Sequence, residues 1–214
     1  MGLDTLSRQL ERRLTAIQRA MDRSLVAPAS PAKLERWAMQ DGFVSQAWQA
    51  WGHFCRELIF ASAQGTPTAS NQPTGCPHAA RPLEELAWIG MRAANGESIN
   101  GIRSIRSRKS EPTWGDPSKF QQIVQAYGLA NEQSVLSGVL IAGRIASHMQ
   151  TIRNASAHTD PDTIASVRSL AIFYQATPIR LPADAIFWVE PNTGEFLYRY
   201  WTSRMIVAAR LAVQ

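Results

Sequence analysis

The chain has two cysteines, three lysines and no apolar run approaching the roughly 18 residues that a membrane-spanning helix needs. Each scarcity excludes something. Cys55, inside an expected helix, and Cys76, in a loop, are too few for a disulfide framework and fit a reducing cytoplasm. The opening "MGLDTLSRQLERRL" is charged where a signal peptide is apolar, so a soluble cytoplasmic protein with no membrane association is expected. Gly2 follows Met1, but "GLDTLS" opens an amphipathic helix rather than a lipidation signal. A glycine-rich phosphate loop, a Ser or Cys nucleophile motif, a zinc signature and a pair of catalytic carboxylates are all missing. His53, Cys55, Cys76 and His78 are residue types that zinc prefers, yet His53 and Cys55 stand about 200° apart around a helix axis and cannot easily hold one ion. No metal and no other cofactor is expected.

What is present is an ordinary globular composition, 45% apolar and 18% charged over 214 residues, which suits a single domain spanning 1–214. The net charge is +5, and 19 of the 22 basic residues are arginine. Arginine suits bidentate contacts to phosphate, so the excess leans toward a nucleic-acid partner, although Arg8, Arg12 and Arg19 simply line the polar face of the first helix.

Leu3, Leu6, Leu10, Leu14, Ile17, Met21 and Leu25 recur at spacings of three and four, predicting an amphipathic helix over 3–25. Ser30 and Pro31 read as the cap and first residue of a second helix reaching about Ala63. Its Trp37, Trp48 and Trp51 share helical spacing with aliphatic neighbours and read as core rather than as a base-stacking platform. The stretch 64–82 is rich in Pro, Gly, Ser and Thr and reads as a long mobile loop, as does 100–116. Between them "PLEELAWIGMRAAN" makes a shorter helix closing at Gly96. Asp116 with Pro117 opens another, which stops at Gly128, and Asn131 is placed to cap one long helix running to Asn154. Asp160 with Pro161 starts the next helix, "IFWVEPNTGEF" allows a short hairpin, and "LYRYWTSRMIVAARLAV" closes the chain as a helix. About six helices connected in this way predict an all-α antiparallel bundle.

Two clusters carry chemistry. Arg103, Arg106, Arg108 and Lys109 fall within seven residues, either a solvated loop or an arm that contacts RNA phosphates. In "MQTIRNASAHTDP", Arg153 and His158 stand five apart where one helix ends and another begins. Arg153 is a permanent cation and a histidine titrates near neutrality, which together meet the requirements for cleaving RNA without metal. A base takes the 2′-hydroxyl proton, the freed oxygen attacks phosphorus, and a fixed cation stabilises the charge on the phosphate oxygens. On one continuous helix the two side chains would diverge by about 140°, so a twofold dimer is needed to bring both pairs to one cleft. The plainer alternative is a helix end at which Asn154 and His158 meet the last carbonyls and Arg153 is solvated.

"RNASAH", with Arg153, Asn154 and His158, resembles the signature of the HEPN superfamily: arginine, a polar residue, three more residues and histidine. The segments "AWQAWGHFCRELI", "EPTWGDPSKF" and "LYRYWTSRMIVAARLA" extend the resemblance over most of 40–212. The resemblance implies an all-α homodimer acting as a metal-independent endoribonuclease in toxin–antitoxin or phage-defence systems, with an antitoxin or defence protein as partner. It also implies that Arg153 and His158 are catalytic, with Asn154 orienting the site. Exposed single strands or tRNA loops are the expected substrates, because unpaired nucleotides can reach the in-line geometry. One departure narrows this: where a tyrosine modified by nucleotidyltransferase antitoxins would stand, two residues after the histidine, the chain has Asp160. The alternative expectations are a non-catalytic HEPN-like dimerisation or RNA-binding subunit of a larger complex, and a helical scaffold with no nucleic-acid role.

Overall fold

A computed structural model describes residues 2–26, 33–158 and 160–214, with the side chains of residues 33 and 34 excepted. The described residues form eight α-helices: α1 (Asp4–Val26), α2 (Lys33–Ala63), α3 (Leu83–Ala94), α4 (Pro117–Tyr127), α5 (Glu132–Ile141), α6 (Gly143–Ala157), α7 (Pro161–Ser169) and α8 (Leu197–Ala212). Short 3-10 turns at Arg108–Ser110, Leu170–Phe173 and Pro182–Phe187 complete an all-α bundle. The expected cap at Ser30 and Pro31 lies outside the described residues.

Local chemistry accounts for several boundaries. The Asp116 carboxylate accepts from the Ser118 N–H, Pro117 occupies the first turn, and Gly128 ends α4 in the left-handed conformation at φ 59°. Asp160 and Thr163 form a capping box at the start of α7, again with a proline at its first position.

Packing overrides local preference elsewhere. The helix expected to run unbroken from Asn131 to Asn154 is two helices, interrupted at Ala142. A Cβ added at Gly138 would overlap the backbone of Ala212, so α5 lies directly on α8, while α6 turns away to pack on α2 and α7. Asn131 does not cap α5 with its side chain; its Nδ2 donates instead to Ser62 Oγ of α2 at 3.1 Å. Leu140, placed on the apolar stripe by spacing, is exposed at the end of α5. The hairpin near the C-terminus reduces to isolated antiparallel bridges, Gln175 with Val189 and Val189 with Phe196, around a turn in which Glu190 accepts from Asn192 and Thr193.

The core gathers Trp51, Trp188, Trp201, Tyr127 and Tyr198, all fully buried. Burying side chains of this size contributes about 2–3 kcal/mol each. Trp48 belongs to the same core, whereas Trp37 is half-buried. Polar bonds tie α1 across to α8: Tyr198 Oη donates to Asp22 Oδ1 at 2.7 Å, and Arg199 Nη2 reaches the same oxygen at 2.8 Å. No helix among the described residues is long and apolar enough to cross a membrane.

Candidate functional site

α6 positions the Arg–His motif. Arg144, Ser147, Thr151 and Asn154 follow one another at spacings of three and four on its outer side, and His158 continues the same line at the helix end. The opposite side of α6 is apolar: Ile145, Ala146, Met149, Ile152 and Ala155 are buried. Arg153 falls about 100° around the axis from Asn154 and is half-buried. Its Nη1 nevertheless donates to Asn154 Oδ1 at 3.2 Å. That bond draws the guanidinium around the helix toward the outer line on which His158 sits. No carboxylate among the described residues pairs with Arg153, so its charge is not neutralised by an ion pair there.

His158 is the C-cap residue of α6, at φ −131° and ψ 74°. Its N–H donates to the Asn154 carbonyl at 2.8 Å, while its own carbonyl accepts from Asp160 N at 2.9 Å and Thr163 Oγ1 at 2.6 Å. The backbone is therefore held by both flanking helices, and the imidazole is exposed. Asp160 is committed to capping α7: its carboxyl is held below the usual range, first by the Thr163 N–H and further by Asp162 N–H and the charge of His158. Arg153 and Asn154 are thus joined, and His158 shares their helix end without a direct bond to either side chain.

The basic segment occupies another part of the molecule. Arg103, Arg106, Arg108 and Lys109 are all exposed, and none forms an ion pair with a described residue. The segment is anchored rather than draped: Ile102 and Ile105 pack on the core, Ile105 N donates to the Glu84 carbonyl at 3.2 Å, and Ser107 caps the 3-10 turn. Just beyond it, Glu111 is gripped from both sides. Arg56 of α2 donates Nε to Glu111 Oε2 at 2.6 Å and Nη2 to Oε1 at 2.9 Å, and Trp114 Nε1 donates to Oε2 at 2.7 Å. Burial pushes the Glu111 carboxyl up, and the bonds from Arg56 and Trp114 together bring it below its usual range. Trp114 itself packs edge-on against Phe60 and fills the space left by Gly90, so it is a core residue and not a stacking surface.

Two relationships have no signature in the sequence. One is the Arg56–Glu111 pair, whose members stand 55 residues apart. The other lies on α6, where His148 Nδ1 meets Tyr174 Oη at 2.6 Å, with the Phe173 ring tilted 36° at 5.1 Å from the imidazole and Arg144 5.8 Å above the Phe173 ring. Burial and the charge of Arg144 lower the His148 pKa to about 4, so this imidazole is neutral near pH 7. His53 and Cys55 diverge on α2 as helical spacing requires, His53 exposed beside Glu57 and Cys55 fully buried. Comparison with protein-family models, with curated proteins and with solved structures gives no match.

Proposed function

We propose that the chain is a metal-independent endoribonuclease of the HEPN type, a cytoplasmic toxin or phage-defence effector that works as a homodimer. The observation that carries this reading is the Arg153–Asn154 bond: it holds an un-neutralised guanidinium toward the exposed line of α6 that ends at the exposed imidazole of His158. His158 removes the 2′-hydroxyl proton, the 2′-oxygen bonds to the adjacent phosphorus, and the bond to the departing 5′-oxygen breaks as that oxygen takes up a proton. Arg153 stabilises the charge on the non-bridging oxygens. The products are a 2′,3′-cyclic phosphate and a free 5′-hydroxyl.

A second protomer completes the proposed site, because the resemblance implies a dimer and within one chain His158 makes no bond to the side chain of Arg153 or Asn154. Beside α6 the surface is suited to one. Ile172 is 83% exposed and Phe173 41% exposed, next to the Arg144–His148 turn, and a copy packed along α6 would cover them. Single-stranded RNA or tRNA loops are the substrates, and an antitoxin or defence protein restrains or triggers the enzyme. The four unpaired cations at 103–109 also favour a second reading, an RNA-binding and dimerisation subunit that does not cut.

The test is RNA incubated in EDTA with the wild type, Arg153→Ala and His158→Ala. Cleavage lost in both variants with RNA binding retained supports the nuclease. Binding without cleavage by all three proteins supports the second reading, and no binding at moderate salt rejects both.

A further inference from the structure

Between α3 and the basic segment lies a cavity of about 230 Å³, lined by Leu83, Glu84, Ala87, Ile105, Arg106 and Arg108, with Arg56 and Glu111 at its back. Its charges sort into two kinds. Arg56 and Glu111 are consumed: the guanidinium spends all three nitrogens on Glu111 and Glu57, and Trp114 takes a further bond to Glu111. Glu84, Arg106 and Arg108 are exposed and make no ion pair among the described residues. The neighbouring Glu85, by contrast, is paired with Arg81 at 2.7 Å. The cavity therefore offers one carboxylate and two guanidinium groups outside any contact ion pair, Arg108 feeling Glu111 only through its longer-range charge, around an apolar floor of Leu83, Ala87 and Ile105.

Resting on the reading of the chain as an RNA-cutting enzyme, we propose that this cavity receives one unpaired guanine nucleotide of the RNA, its base on the apolar floor and its phosphate on Arg106 and Arg108. The space is smaller than the roughly 300–1,000 Å³ that drug-sized ligands occupy, so it suits a base with ribose and phosphate at the rim. Arg106 and Arg108 are suited to bidentate phosphate contacts. Glu84 sets the base. A carboxylate presents two acceptors side by side, and only guanine offers two adjacent N–H donor groups, N1–H and N2–H, on its pairing edge. Adenine and cytosine put an acceptor nitrogen beside their amino group, and uracil flanks its single N–H with carbonyls, so each brings a lone pair against the carboxylate. The buried Arg56–Glu111–Trp114 set fixes the wall from which Arg108 projects, so the cavity is preformed.

Fluorescence anisotropy of the full-length protein with labelled 2′-O-methyl heptamers tests this, because such strands lack the attacking hydroxyl and stay intact. Heptamers of uridine carrying a single central G, A or C are compared at moderate salt. The G-containing strand is expected to bind roughly tenfold more tightly than the A and C strands, a preference lost in Glu84→Gln. Arg106→Ala with Arg108→Ala is expected to weaken all strands alike and to flatten the salt dependence. Both sites are exposed, so circular dichroism should show unchanged folding. Equal affinity for the three strands, or a G preference that survives Glu84→Gln, overturns the guanine pocket while leaving cleavage by Arg153 and His158 intact. No binding of any strand overturns the pocket and RNA recognition together.

Discussion

Arg153 Nη1 donates to Asn154 Oδ1 at 3.2 Å, so neighbouring side chains that helical geometry would splay by about 100° share a hydrogen bond. The amide oxygen acts as a tether that keeps the guanidinium near the exposed line of α6. In the proposed nuclease this would give Asn154 a positioning role with no need to touch the scissile bond.

Replacing Asn154 with Ala frees Arg153 without removing its charge. The expected result is a fall in kcat of roughly tenfold to a hundredfold with KM and RNA affinity nearly unchanged, as misplacement of a catalytic group produces. Thermal stability should stay close to wild type because Asn154 is only half-buried. A matched loss in KM and kcat in Asn154→Ala, or a large drop in Tm, would show instead that Asn154 merely shapes the helix end.

Ile172 projects into solvent more than any other large apolar side chain among the described residues, with Phe173 beside it against His148. Light scattering should find the wild type dimeric and Ile172→Asp monomeric at micromolar concentration, with cleavage lost in parallel and Tm unaltered. A monomeric wild type that cleaves RNA, or an Ile172→Asp dimer, would remove this face from the interface.

The Arg56–Glu111 pair is largely buried, with side-chain exposures of 13% and 8%. Glu111→Ala leaves Arg56 with Glu57 alone and two of its nitrogens without an acceptor, and is expected to cost about 2–3 kcal/mol in urea unfolding, whereas Arg56→Met combined with Glu111→Leu restores most of it. Weaker RNA binding by Glu111→Ala at temperatures where it remains folded would follow from release of the adjoining basic segment. A loss under 1 kcal/mol in the single variant would mean that water reaches the pair freely.

His148 carries a pH signature. Its folded-state pKa of about 4 lies below the ordinary value of 6.5, so the unfolded chain binds more protons between those two values. Stability is therefore fully present above about pH 6.5 and declines by about 3 kcal/mol as pH falls toward 4. The carboxylates lowered by the fold, Glu111 among them, act at more acidic pH. Urea unfolding across pH 7 to 4 should show this slope in the wild type and lose it in His148→Phe. An unchanged slope in His148→Phe would place the titrating group elsewhere.

Local chemistry made much of the fold readable in advance. Asp116–Pro117, Asp160–Pro161 and Gly128 each act within a few residues of themselves, so their helix ends appear where the sequence places them. The break at Ala142 does not show in the apolar stripe, and neither does the close approach that seats α5 on α8, Gly138 against Ala212 from the far end of the chain. Asn131 has the composition of a cap and is claimed instead by Ser62. The candidate site divides in the same way. Arg153, Asn154 and His158 stand together in the sequence, whereas Glu84 joins Arg106 and Arg108 only because α3 folds beneath the basic segment.

Whether a 2′-hydroxyl attack without metal takes place can be read from the ends of the cut RNA. An oligonucleotide cleaved by the wild type in EDTA should carry a 2′,3′-cyclic phosphate on its upstream fragment and a 5′-hydroxyl on its downstream fragment. A single 2′-deoxy substitution at the cleaved nucleotide, or the replacement of Arg153 or His158 by Ala, should abolish the cut. Cleavage that needs a divalent cation and leaves a 3′-hydroxyl, or that survives the 2′-deoxy substitution, would contradict it.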